Sequence, residues 1–181
     1  NLFTRAERFE SPKRLTAKTV VASIVLTGVF LNALYLKNYF DFVNPFPYLS
    51  DIESRDQFLS RHVAAYPAIR YINDHTPANA SIRLILTGRR GYYLDRSYLH
   101  DRTFGMSMVH EMVMKTADSA TLREYLNKSK FTHLLIREDL FLKYLKDNFS
   151  EDRVAEFLRK MASCTTLLYR ANGYGVYQIL P

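Results

Sequence analysis

The chain has 181 residues, 48% of them hydrophobic and 14% aromatic, which excludes a disordered chain, because disordered segments lack the apolar surface to offset chain entropy. The formal net charge of +7 would suit nucleic acid, but much of the excess lies in one flank, where Arg5, Arg8, Lys13, Arg14 and Lys18 stand against Glu7 and Glu10. The single Cys164 excludes an internal disulfide, and the length excludes a second full domain.

Residues 1–18 read as a short basic cytoplasmic segment with a helix boundary at Ser11-Pro12. The sequence starts without an initiator Met and has the look of a loop from something longer. Thr19 to Leu36, TVVASIVLTGVFLNALYL, is an uncharged run pinned between Lys18 and Lys37. Its eighteen residues (19–36) would span about 27 Å as a helix, close to the ~30 Å hydrocarbon core of a bilayer. A transmembrane helix is expected at 19–36, since in lipid a lone segment satisfies its backbone only as a helix. A cleaved signal peptide would need a shorter apolar core and a small-residue cleavage site, whereas bulky aromatic residues follow here. The basic flank before the run and the acidic Asp41, Asp51, Glu53 and Asp56 after it predict a cytoplasmic N-terminus and an extracytoplasmic C-terminal domain, in a cell inner membrane.

Residues 37–48 read as an aromatic and proline-containing linker. Its Tyr39, Phe40, Phe42, Phe46 and Tyr48 suit either the headgroup interface or packing onto the domain, and Pro45 and Pro47 break a continuing helix. Residues 49–181 form the expected extracytoplasmic domain. Ser50 and Glu53 have capping-box spacing, which predicts a helix over 51–62. A second helix over 67–75 places Ile69 and Ile72 with Tyr66 on one face and stops at Thr76-Pro77. Ile82 to Thr87 is a short apolar run ending at Gly88, as expected of a buried strand opening into the turn GRRG. Tyr92 to Leu94 suits either a strand or a helical turn. Helices are expected over 106–114, after a cap at Ser119, over 138–147 and after Ser150, with a strand over 131–137. TTLLYR, a turn from Ala171 to Gly175 and VYQIL form a hairpin signal. The fold class is therefore α/β: one transmembrane helix, then a small layered domain with a mixed sheet and a C-terminal β-hairpin.

In GRRGYYLDR, two guanidiniums sit in a Gly-flanked turn at a strand's carboxyl end, where α/β sheets usually bind ligands. Arg89, Arg90, Tyr92, Tyr93, Asp95 and Arg96 are the candidate anion- or substrate-binding residues, the arginines by bidentate hydrogen bonds to a phosphate or anionic lipid head. The competing reading is a solvated turn with Asp95 pairing one arginine. The Lys-Ser/Thr of a phosphate loop and the third Gly of a dinucleotide fingerprint are missing. His100-Asp101 and His110-Glu111 are adjacent pairs that point in different directions, so no metal site is expected. His133 reads as a partly buried strand histidine and Cys164 as a small buried hydrophobe. The methionines Met106, Met108, Met112 and Met114 read as core packing, and Asn32 as a hydrogen-bonding group toward a neighbouring transmembrane helix.

An order of features resembles the last transmembrane helix and soluble C-terminal domain of bacterial dolichyl-phosphate-mannose-protein mannosyltransferase-like membrane proteins, multi-pass glycosyltransferases that use polyprenyl-phosphate sugars. It consists of a span, an aromatic exit, Tyr71, Asn73 and Pro77, a strand, YYLDR at Tyr92 to Arg96, THLL at Thr132 to Leu135, and Tyr169, Gly173, Val176 and Tyr177. The resemblance implies a non-catalytic domain over the extracytoplasmic active side, because that family's catalytic carboxylate lies in an early loop outside this sequence. It also implies that the chain is the C-terminal part of a larger polypeptide. The partners expected are the bilayer, other transmembrane helices, and a lipid-linked sugar or anionic lipid; no nucleic acid and no cofactor are expected. The other reading is a single-pass accessory subunit of a larger membrane complex. An independent enzyme has no nucleophile, base and orienting group to support it.

Overall fold

The computed structural model describes residues 12–100, 103–128 and 130–181, with the backbone course alone for 12–17. The basic residues Arg5 and Arg8, Ser11 of the expected helix boundary, and Asp101 lie outside the described residues. The chain divides into two compact units, residues 1–54 and 55–181.

In the first unit, helix α1 runs from Pro12 to Val43, past both ends of the apolar run. Within it, Lys18–Val43 is apolar enough and long enough to cross a membrane, and none of its most apolar stretch is buried. No acidic or basic stripe gives the apolar section a wet face: Val21, Ile24, Leu26, Phe30 and Tyr35 are all exposed, as is Asn32. Lys37 and Asp41, one turn apart at 2.7 Å, mark where charge returns. The helix ends where Asn44 takes a left-handed conformation (φ 44°) and donates its backbone N–H to the Phe40 carbonyl, with Pro45 next. A short helix, α2 (Phe46–Leu49), follows.

The Ser50–Glu53 capping box does not form. The Ser50 hydroxyl instead donates back to the Phe46 carbonyl at 2.7 Å, closing α2, and Asp51 turns left-handed (φ 57°), so the next helix, α3, spans Arg55–His62 and not 51–62. A serine beside a helix end can serve either side of it, and here the preceding helix takes it.

The second unit is a mixed five-stranded sheet with helices on both faces. After α4 (Tyr66–His75) come β1 (Ser81–Ile85), a 3-10 turn at Gly91–Tyr93, β2 (Ser97–Leu99), α5 (Met106–Lys115), α6 (Ser119–Lys128), β3 (His133–Arg137), α7 (Glu138–Asn148), α8 (Glu151–Cys164), β4 (Thr165–Ala171) and β5 (Tyr174–Ile179). The strand order is β2-β1-β3-β5-β4. Strands β2, β1 and β3 run parallel, and β5 runs antiparallel to β3 and β4. Strands β1 and β3 are buried at successive positions, Arg83 included, because both of their faces are covered. On one face Ile82, Leu84, Leu135, Tyr174 and Val176 pack with Ala68, Ile69 and Ile72 of α4. On the other, Ile85, Leu134, Ile136 and Ile179 pack with the apolar stripes of α5 to α8, including Met108, Met112 and Phe157. Cys164 is fully buried in this second cluster, as its size and polarity suggested, whereas Met114 is half exposed.

Helix α6 is capped one residue earlier than expected: the Asp118 carboxylate accepts the Thr121 backbone N–H at 2.8 Å, and the Thr121 hydroxyl accepts the Asp118 N–H at 3.1 Å. That reciprocal pair leaves Ser119 inside the helix. The hairpin turns through Asn172 (φ 50°) and Gly173 (φ 78°), the left-handed pair that a two-residue turn requires.

Two predictions follow from the core. Ile72 is fully buried between α4 and the sheet, so Ile72→Ala should lower stability by about 3 kcal/mol, read as a shift in the urea midpoint at constant slope. His133 is 5% exposed, with Nδ1 2.8 Å from the Thr132 hydroxyl, and burial holds its pKa below the usual 6.5. The unfolded chain therefore takes a proton that the folded state refuses as pH falls through about 6.5, and stability drops there while being unaffected at higher pH. His133→Gln should flatten that dependence, measured as the difference in urea midpoint between about pH 5.5 and 7.5.

Candidate functional site

Strand β1 leads to β2 on one side of it, whereas β3, its parallel neighbour, leads by α7 and α8 to β4 on the other side. The chain thus leaves the carboxyl ends of β1 and β3 in opposite directions, the switch point at which α/β folds place a ligand crevice. The GRRG turn is the β1 side of that switch point. Arg137 at the end of β3 and Tyr174 at the start of β5, paired in register, are the other side.

The turn is tied down on either side of its two arginines. Leu86 sits in the left-handed region (φ 57°), where its side chain is unfavourable, and its N–H donates to the Phe104 carbonyl at 2.6 Å. Thr87 is buried. Gly91 lies so close beneath Tyr98 that a Cβ there would come within 2.3 Å of the ring, so no other residue fits without moving the ring.

The six sequence candidates divide into two groups. Arg96 and Tyr93 are half buried and face α4. The Arg96 guanidinium donates to the Asn73 carbonyl at 2.6 Å and the Thr76 carbonyl at 2.9 Å, satisfying carbonyls that the end of α4 leaves without helical partners. Asn73 returns the tie, donating to the Tyr93 carbonyl at 2.8 Å and accepting the Asp95 N–H at 2.9 Å. Tyr93 also meets Tyr66 edge to face at 5.5 Å. Arg89, Arg90, Tyr92 and Asp95 are exposed. Asp95 forms no ion pair with an arginine among the described residues, so the pairing expected of a solvated turn is absent there.

The structure adds residues that the sequence motif did not include. Arg90 Nη1 donates to the Tyr174 hydroxyl oxygen at 2.5 Å, across 84 residues of chain. Arg137 is held by a two-pronged bond to Asp139 (3.0 and 3.1 Å), and that carboxylate, with Tyr174 in a smaller part, raises the guanidinium pKa. On the opposite face, Glu138 takes Arg170 in a bidentate pair at 2.8 Å and accepts the Tyr177 hydroxyl. Burial first, then this carboxylate, pushes the Tyr177 phenol up. Arg137 ends a strand that the sequence marks, whereas Tyr174 lies in the expected turn and instead opens β5. The meeting of Tyr174 with the GRRG turn depends on β5 lying between β3 and β4, which has no local signal.

Among the described residues no group of three or more His, Cys, Asp and Glu could hold a metal ion. His110 lies against Phe149 at 5.3 Å, while its neighbour Glu111 pairs with Lys115 and Tyr125. His100 stacks with Tyr98 at 6.0 Å. No protein-family model, curated protein or solved structure matches the chain.

The division among the arginines is testable by stability alone. Arg96→Ala should cost about 1–3 kcal/mol, because it leaves carbonyls of α4 unpaired, whereas Arg89→Ala should stay within about 0.5 kcal/mol, both read from urea midpoints.

Proposed function

We propose that the chain is a membrane-tethered, non-catalytic part of a multi-pass glycosyltransferase that uses a lipid-linked sugar donor. In this reading α1 is a membrane span, its basic flank lies in the cytoplasm, and the Arg55–Pro181 unit stands on the extracytoplasmic side of an inner membrane, over the donor. The observation that carries the reading is α1 itself. An apolar helix exposed on every side is costly in water at roughly 25 cal/mol per Å² of apolar surface and unremarkable in lipid. Lys18–Val43 has 26 residues, so as a helix it is about 39 Å long, enough to cross the ~30 Å hydrocarbon core with its ends in the headgroups. The basic residues before the apolar run Thr19 to Leu36 and the acidic ones after it support the orientation. The order of features from the aromatic exit to the final Tyr-Gly-Val-Tyr element supports the glycosyltransferase assignment. Asn32, polar and exposed in the middle of the apolar helix, favours a neighbouring helix as its partner. A single-pass accessory subunit would meet that need from a second polypeptide, and this is the alternative reading.

The full chain should remain in the membrane pellet after alkaline carbonate extraction, while residues 55–181 alone should be soluble; release of the full chain would remove the tether. The enzymatic assignment is tested separately. Deleting residues 55–181 from the membrane protein that carries them should reduce sugar transfer from a polyprenyl-phosphate donor in membrane vesicles, and unchanged transfer would overturn it.

A further inference from the structure

We propose that the switch point at the carboxyl ends of β1 and β3 binds a phosphate or diphosphate group, gripped by Arg89 and Arg90, with Tyr174 and Arg137 as the residues that position Arg90. This does not depend on the glycosyltransferase reading.

The guanidinium donors around the turn are spent unequally. Arg137 spends Nε and Nη2 on Asp139, and Arg170 spends Nε and Nη2 on Glu138, so both are neutralised locally. Glu138 and Asp139 also occupy the first turn of α7, which leaves that helix start no call for an outside anion. Arg89 and Arg90 differ: among the described residues neither has a carboxylate partner. Arg90 gives only Nη1 to Tyr174, so its Nε and Nη2 edge, the fork that matches two oxygens of a phosphate, is unspent. At the ends of β1 and β3, Arg89, Arg90, Arg137 and Asp139 carry three positive charges against one negative.

An exposed arginine ordinarily loses much of its binding energy to the ordering of its long side chain. Here that ordering is already made for Arg90. Its guanidinium is fixed to a phenol that is 1% exposed, and the phenol is held in the sheet between Arg137 and the hairpin turn. Binding at Arg90 to an oxygen that carries no full charge holds the side chain without neutralising it. Leu86, bonded to the Phe104 carbonyl, and Gly91, under Tyr98, anchor the backbone on either side of the two arginines. A phosphate is the chemistry that two adjacent forks without carboxylates recognise. Its carrier can be a free diphosphate or the head of a lipid.

The test uses the full chain in phosphatidylcholine nanodiscs. Calorimetric titration with inorganic pyrophosphate probes the free ligand. Hydrogen exchange across residues 86–96, in discs with and without phosphatidic acid, probes the lipid-borne one. We expect binding in at least one arm; pyrophosphate binding assigns the soluble source, and protection confined to phosphatidic acid discs assigns the headgroup. Arg89→Ala with Arg90→Ala should weaken the binding at least about tenfold. Tyr174→Phe, which keeps every charge, should weaken it about threefold or more by releasing Arg90. Arg89→Lys with Arg90→Lys keeps the charge on an exposed turn and loses the fork, and it carries the same expectation if Tyr174→Phe unfolds. Absence of binding in both arms by folded chain, or affinities of the arginine variants within twofold of the original, overturns the proposal.

Discussion

Everything in the Arg55–Pro181 unit depends on the parallel pairing of β1 with β3. Ile82 to Ile85 against His133 to Ile136 is a four-residue register buried on both faces, and each hydrophobic cluster is built on one side of it. A parallel pair cannot be closed by a hairpin, so the chain must cross over the sheet between the two strands. It does so with α5 and α6, after first turning aside to make β2. The detour to β2, together with the departure of α7 the other way, sets a switch point at the carboxyl ends of β1 and β3. The candidate site is thus a geometric result of how the two central strands are connected.

The same connection explains what could be read in the residues and what could not. Apolar patterning marked α4, β1 and β3, the acidic first turn after Ser150 marked α8, and turn residues marked the terminal hairpin. The α/β class followed from their alternation. Two caps were misplaced for a local reason: Ser50 and Ser119 each stand beside a competitor. The carbonyl of Phe46 takes the first, and Asp118 with Thr121 displaces the second. The site was half legible. GRRG announced itself by glycines and charge at a strand end, but Arg90 finds Tyr174 84 residues away, through a strand order that leaves no trace in either segment.

Of six polar and aromatic candidates in one short stretch, Arg96 and Tyr93 hold the loop to α4, while Arg89 and Arg90 face solvent. The chemistry of an arginine did not distinguish these roles; its distance from a helix end did. Arg96 lies within reach of the open carbonyls of α4, and these absorb its donors. Arg89 and Arg90, at the start of the turn, have no such sink. One stretch therefore secures itself with its second half and offers its first half outward.

Strand β5, the last element in chain order, lies between β3 and β4, and not at an edge. Until Tyr174–Ile179 is in place, β3 has an open backbone edge and β4 has no partner at all. From the synthesis of β3 until that of β5, the sheet therefore has an unsealed edge. That is the condition in which exposed strand edges join other chains. The strand that seals the sheet also brings Tyr174 to Arg90, so a chain whose Arg90 is in place has already passed the step at which it was most prone to aggregate.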